Sequence, residues 1–390
     1  MARIVVCGYM IRHPLAGNLM AYFHYLLGLY RLGHRVVYME ESGWPSSCYD
    51  PVRKEYGDSP SAGLRIVRRL MEDYRVDIPL CYFHRESGDT WGMEPTEMRR
   101  VIADADLLLN VGGVCWLSDF LLCQRRALVD MDPFFTQIGR FAIEGLDEYQ
   151  AYFTYGANIG RTGCQIPTRG KTWLPTVPPV VPEIWATKSA GSENPGKAPF
   201  TTVANWNAYG GVDYEGVRYG QKDQEFLALG DLPGRTGHKM ELALANADSA
   251  ATQELKRSGW SVVGAAEVSN DIATYQKYIA ESRGEFTVAK NAYVKTNSGW
   301  FSDRSVCYLA SGRPVIMQDT GFSEWLPTGE GVLAFSTVDE ALGCIEQVNS
   351  RYFANCRTAR ELAEEIFGYR AVLPAMLDSI WEHRATQVSI

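Results

Sequence analysis

The stretch from Glu285 to Phe335, EFTVAKNAYVKTNSGWFSDRSVCYLASGRPVIMQDTGFSEWLPTGEGVLAF, constrains the fold more than any other part of the chain. Its short apolar runs at 286–289, 313–318 and 332–335 have the length and composition of buried strands. Between the first two lie a loop, 290–301, and a helical segment, 302–311. A strand, a helix and a second strand in that order need a crossover, so the strands they join lie parallel. The helix starts at Ser302, a residue type that favours the N-cap, behind a loop in which Gly299 permits close backbone approach. Such a start presents unbonded N–H groups and the positive end of the helix dipole, which suits an anion such as a diphosphate. Asp303 and Arg304 follow at once. One is a carboxylate able to accept from sugar hydroxyls, the other a guanidinium able to hold phosphate.

The first half of the chain repeats the alternation. A short β-branched strand runs from Arg3 to Cys7, then come a loop from Gly8 to Gly17, a helix over 18–32 stopped by Gly33, and a strand over 35–40. Further helices are expected at 64–74 and 94–103, and further strands at 80–84, 107–111, 127–131 and 152–155. The pattern predicts a doubly wound α/β domain. Composition changes after Tyr155, with prolines at 167, 175, 178, 179, 182, 195 and 199. Such sequence reads as an interdomain crossing and places the boundary near 180–198. Beyond it, strands are expected at 200–205, 239–245 and 261–264, and helices at 250–257 and 271–282. Thr337 and Glu340 form a capping pair at the start of a helix over 337–348, and two more helices follow at 357–367 and 369–383. The expected domains are 1–180 and 198–368, with a terminal helical segment at 369–390.

With 390 residues, 46% of them hydrophobic and 22% charged, the chain has the material for two ordinary globular cores. A net charge of −8 weighs against a nucleic-acid partner and leaves room only for local basic pockets. No apolar run approaches the roughly twenty residues of a membrane span, and no basic–apolar–small pattern at the N-terminus marks a secretory signal. The nine cysteines include no C-x-x-C pair and fall inside apparent strands and helices. They are read as reduced thiols of a cytoplasmic protein. Two Asp-x-Asp patterns, Asp104/Asp106 and Asp130/Asp132, are short enough to arise by chance, and the first falls at a helix-to-strand joint. No metal site is assigned to either. A dehydrogenase would need Gly-x-Gly-x-x-Gly after the first strand, and Gly8 and Gly17 are spaced wrongly for it.

The order loop, helix, Ala310-Ser-Gly-Arg-Pro-Val315, Asp319-Thr-Gly-Phe322 and Gly331-Val-Leu-Ala-Phe335 resembles the donor half of nucleotide-sugar glycosyltransferases of the GT-B fold, retaining branch. The resemblance implies two Rossmann-like doubly wound domains facing a cleft. The acceptor would lie in the first domain, the donor in the second, and the terminal helix would cross back to brace the first. That branch usually carries two glutamates eight positions apart, and the aligned positions here hold Gly299 and Cys307. Retention or inversion therefore stays open.

The resemblance also implies roles for particular residues. Ser302, Arg304 and Lys222 would hold the diphosphate, with Arg218 as a second choice to Lys222, because charge grows on the departing phosphate. Gly299 would line the donor site and Asp303 would contact ribose or sugar hydroxyls. Asp319, Thr320, Gly321 and Phe322 would contact the transferred sugar. In the inverting branch a histidine in the loop after the first strand takes the acceptor's proton. His13 sits in that loop, with Asp132 or Asp119 as its orienting partner. The expected activity is metal-independent transfer from a nucleoside-diphosphate sugar, its only co-substrate, to a small-molecule or glycan acceptor. The alternatives are a nucleotide-sugar epimerase or hydrolase of the same fold and a non-catalytic nucleotide-sugar binding protein. Sugar, nucleotide, acceptor and oligomeric state are not written in the sequence.

Overall fold

The computed structural model describes residues 1–139, 145–185 and 198–387. Most of the expected boundary region, 186–197, lies outside the described residues. The chain divides into two compact units, one of residues 1–156, 167–179 and 369–390, the other of 157–166 and 180–368.

Among the described residues the first unit contains ten strands: β1 (Arg3–Cys7), β2 (Arg35–Glu41), β3 (Cys48–Asp50), β4 (Glu55–Gly57), β5 (Leu80–Phe83), β6 (Thr90–Trp91), β7 (Leu107–Val111), β8 (Arg126–Asp130), β9 (Ala151–Thr154) and β10 (Trp173–Pro175). Eight of them form one sheet in the order β10-β9-β8-β7-β1-β2-β5-β6. Every pairing in it is parallel except that of β5 with β6. The sheet is covered on both faces, so Ile4, Val5 and Val6 are all buried, which is why β1 reads as an unbroken apolar run. β3 and β4 form a separate antiparallel hairpin that the apolar pattern does not announce. β10 arises inside sequence expected to be linker. It sits at the sheet edge, where Pro175 omits no needed ladder bond. Helix Tyr369–Gln387 belongs to this unit and packs on helix Ala16–Arg31 at Gly28. A Cβ added there would lie 2.6 Å from Leu373 Cδ1.

The second unit carries a six-stranded parallel sheet built from β11 (Phe200–Asn205), β14 (Met240–Ala245), β15 (Ser261–Gly264), β16 (Gly284–Thr287), β17 (Val315–Gln318) and β18 (Val332–Phe335). Its order is β15-β14-β11-β16-β17-β18, and a small antiparallel hairpin, β12 (Val212–Tyr214) with β13 (Val217–Tyr219), projects after β11. Phe286 stacks on Phe335 at 5.2 Å and meets Trp260 at 6.0 Å in the core beneath. The expected capping pair forms: the Thr337 hydroxyl accepts from Glu340 N at 3.2 Å, and Glu340 accepts from Thr337 N. Residues 157–166, placed by the sequence with the first domain, join the second unit, because Asn158 N donates to Ser298 O and Gln165 N to Thr296 O.

In each sheet the chain builds outward from a first strand and then returns to add strands on its other side. The reversal falls between β1 and β7 in one unit and between β11 and β16 in the other. Ligands of open α/β sheets bind beyond the carboxyl ends of the strands at such points.

Candidate functional site

In the second unit the reversal point is lined by charge held at low exposure. Arg304, in the first turn of helix Asp303–Ala310, turns back onto the sheet. Its Nε pairs with Glu285 of β16, Nη1 donates to Val203 O at 2.9 Å, and Nη2 donates to Thr287 Oγ1 at 3.0 Å. The Thr202 hydroxyl donates to the same Glu285 at 3.2 Å. The guanidinium is therefore committed to internal partners and serves as a fixed positive charge beneath the site, not as the outward phosphate clamp expected from its position.

Lys222 stands opposite in character. It opens helix Lys222–Ala228, is 6% exposed, and its Nζ has no hydrogen-bond partner. The Trp300 ring centroid lies 5.9 Å from that nitrogen. Burial, then the repulsion of Arg304, pushes the Lys222 pKa well below the ordinary lysine value, against the pull of Glu285 and Asp303. An unpaired buried ammonium is expensive, and the group that relieves it is an anion. Asp303, half-buried at the helix start, has its pKa raised by burial and opposed by Arg304 and Lys222. Lys290 is drawn to Tyr209, lying 4.6 Å over its ring and bonded to its hydroxyl. Arg218 sits on the β13 side of the projecting hairpin, ion-paired to Asp213 at 2.8 Å and more than half exposed. Of the two basic residues expected here, only Lys222 is buried.

The loop residues expected to meet the sugar spend most of their side chains locally. Asp319 Oδ1 accepts from Gly321 N at 2.8 Å, and Ser323 donates to the other carboxylate oxygen. The Thr320 hydroxyl donates to Trp300 O at 2.7 Å, while Gly299 N donates to Thr320 O at 2.7 Å. Phe322 is fully buried against Phe301. Gly321, at φ +87°, leaves no room for a side chain, since an added Cβ would fall 2.0 Å from Asn297 Oδ1. Ser302 occupies the N-cap position with its hydroxyl buried 3.5 Å from Asp303 Oδ1, and that hydroxyl accepts no helix N–H.

Sequence reasoning gave no role to Glu285, Trp300 and Asn158, which carry buried polar atoms without partners at Oε2, Nε1 and Oδ1. A signal for the first was present: an acid opening an apolar strand run requires a buried cation.

In the first unit the loop after β1 is tied down by a carboxylate of β2. Glu40 accepts from Ile11 N and Arg12 N at 2.7 Å each and from Arg12 Nε at 3.2 Å, with Tyr38 donating as well. Beside that carboxylate the fully buried Arg12 stays charged, its pKa raised by the Glu40 attraction. The arrangement holds His13, the next residue, at the mouth of the loop. The His13 ring is bordered by tyrosines, not by a carboxylate: Tyr9 at 5.9 Å, Tyr49 at 5.6 Å and Tyr56 at 6.5 Å. Burial lowers its pKa, so the ring is neutral near pH 7. The expected orienting carboxylates lie elsewhere. Asp119 pairs with Arg99 at 3.0 Å, and Asp132 follows β8, its N–H bonded to Asp130. Asp130 in turn accepts from Gln137 and Thr154. Among the described residues no group of three or more His, Cys, Asp or Glu side chains is placed to hold a metal ion. Nor is any described helix long and apolar enough to cross a membrane.

Neither a protein-family model nor a curated protein matches the sequence. Solved structures do match along the whole chain. HepE of Anabaena, in complex with UDP and glucose, aligns with a TM-score of 0.59 at 12% identity, over 98% of this chain and 100% of that one. An alpha-glucosyltransferase in complex with UDP and a 13-mer DNA gives 0.59 at 12% identity, over 97% and 100%. AviGT4, a glycosyltransferase involved in avilamycin A biosynthesis, gives 0.55 at 13% identity, over 100% and 99%. At such identities the likeness establishes the fold, which is the GT-B arrangement of two Rossmann-like units.

Proposed function

We propose that this GT-B chain is a glycosyltransferase that moves a sugar from a nucleoside-diphosphate sugar to a hydroxyl of a small-molecule or glycan acceptor. UDP, the nucleotide in the complexes of two structural neighbours, is the first nucleotide to test. The observation that carries the reading is Lys222: a buried amino group with no hydrogen-bond partner, at the reversal point of the second sheet, beside the fixed charge of Arg304.

In the reaction the acceptor oxygen bonds to the anomeric carbon while the bond from that carbon to the diphosphate breaks. Negative charge grows on the departing phosphate, and a lysine already in place and shielded from water, whose ammonium form the bound diphosphate favours, stabilises it most strongly there. His13, neutral because it is buried, has a lone pair with which to take the acceptor's proton, as direct displacement requires. The chain supplies cations and helix starts for this step, and we assign it no metal. DNA, present in one neighbour's complex, is disfavoured as the acceptor here by the net charge of −8.

A thermal-shift screen of nucleoside diphosphates and their sugars tests the reading, because a ligand bound only by the native state raises the melting temperature. UDP or another nucleoside diphosphate is expected to do so, and Lys222→Ala to abolish the shift and cut turnover by about a hundredfold or more. A Lys222→Ala variant with wild-type turnover would overturn the assignment. Product analysis without acceptor separates transfer from hydrolysis or epimerisation, and binding without turnover would mark a non-catalytic protein.

A further inference from the structure

The insert after β2 carries aromatic rings that the core does not use. Trp44 is 54% exposed, and Tyr56, on strand β4 of the hairpin, is 59% exposed. They are not scattered. Tyr9 and Tyr56 lie nearly parallel to the His13 ring, at interplanar angles of 13° and 14°. Tyr49 meets both His13 and Tyr56, the latter at 5.0 Å. Trp44 continues the row beyond Tyr9 at 6.2 Å. Behind this row the Arg12 guanidinium sits 4.5 Å over Tyr9 and 5.1 Å over Trp44. Its other contacts are to Glu40 and to backbone carbonyls, so it fixes the two rings and presents no free charge to the outside.

A single exposed aromatic residue needs no explanation. Here a two-stranded hairpin, marginal by itself, holds Tyr49 and Tyr56 against the one neutral imidazole that the proposed chemistry uses. Flat π faces beside a base select a ligand with a flat face of its own whose hydroxyl reaches that base. An ammonium ligand would also suit aromatic faces, but Arg12 already places positive charge against two of these rings.

We propose that Trp44, Tyr49 and Tyr56 form the acceptor platform of this protein. The acceptor is an uncharged ring compound, a sugar or a phenol, stacked on these rings with one hydroxyl directed to His13. The inference rests on the transferase reading and narrows its acceptor class.

Phenyl β-glucoside, methyl β-glucoside and phenol are the probes, their binding to the full chain measured by saturation-transfer NMR titration. At least one is expected to bind the wild type, and Trp44→Ala and Tyr56→Ala are each expected to weaken it roughly five- to tenfold. Both side chains are more than half exposed, so the fold survives their loss. The exposed Leu121→Ala serves as the control for a surface change elsewhere. Strong binding of methyl β-glucoside marks a sugar acceptor; binding of phenol alone marks a phenolic one. If no probe binds, or if both variants bind as the wild type does, the platform is wrong. A UDP thermal shift on the same wild-type protein reports the donor reading separately. A normal nucleoside-diphosphate shift with no effect of Trp44→Ala or Tyr56→Ala sinks the platform alone, and the absence of a shift with every nucleoside diphosphate and nucleotide-sugar sinks the transferase reading.

Discussion

Lys222 and His13 are both buried ionisable groups, and each converts into a pH dependence of definite sign. In the native chain the Lys222 pKa lies below its ordinary value, so the unfolded chain holds a proton that the native one releases. Stability contributed by this residue therefore rises with pH, up to the unfolded lysine value of about 10.4. Lys222→Met removes the buried amino group that lacks a hydrogen-bond partner and leaves an apolar chain of similar length. That variant is expected to melt about 2–4 °C higher for each kcal/mol gained, to lose the rise with pH, and to show no UDP shift. Calorimetry with and without UDP between pH 7 and 9.5 checks all three. An unchanged melting temperature together with a retained UDP shift would contradict the account.

His13 likewise has its pKa lowered by burial. The unfolded chain takes up a proton that the native ring resists, so this stability is lost as pH falls through the ordinary histidine value of about 6.5. Transfer is expected to fall on the acid side of the lowered value and to stay flat above it. His13→Gln is expected to lose about 10²–10⁴ in rate while keeping the UDP shift. Both residues could be singled out from the sequence by position. What burial does to them could not, because it depends on Trp300, Arg304, Tyr49 and Tyr56, brought in from other elements.

At the scale of elements, capping was the most legible signal and side-chain direction the least. The Thr337–Glu340 box lies within four residues and forms as read. The helix start at Asp303 was equally local, yet Arg304 turns to Glu285 because β16 lies beneath that face of the helix. Phe322 turns inward because Phe301 waits for it. Gly63 shows the same dependence. A Cβ there would sit 1.9 Å from Ile11 O and 2.9 Å from Ile11 Cα, so helix Ser61–Asp73 packs directly on the loop that carries Arg12 and His13. Gly63→Ala forces that backbone apart. The expected cost is about 1–3 kcal/mol in urea unfolding, with impaired acceptor turnover and an unaltered UDP shift.

At the scale of the whole molecule, the first unit is assembled from three separate pieces of chain. Helix Tyr369–Gln387 closes over Gly28 of helix Ala16–Arg31 with no space to spare. Ending the chain after Gly368 is expected to speed amide exchange in Ala16–Arg31 and in β1 while leaving β11, β14, β16 and β17 protected. Equal loss of protection in both sheets would show that the two units do not unfold separately.

The sequence by itself determined the alternation of strands and helices, the doubly wound character of the first half and the helix start behind Ser302. All of these are written in periodicity, capping and turn residues a few positions apart. Only the tertiary structure decided that Arg304 is bound inward, that Lys222 is left without a partner, that His13 faces tyrosines and not Asp132, and that residues 157–166 join the second unit. Each of those outcomes depends on which distant element packs across from the residue. Local sequence carries no record of such a pairing until the chain has folded.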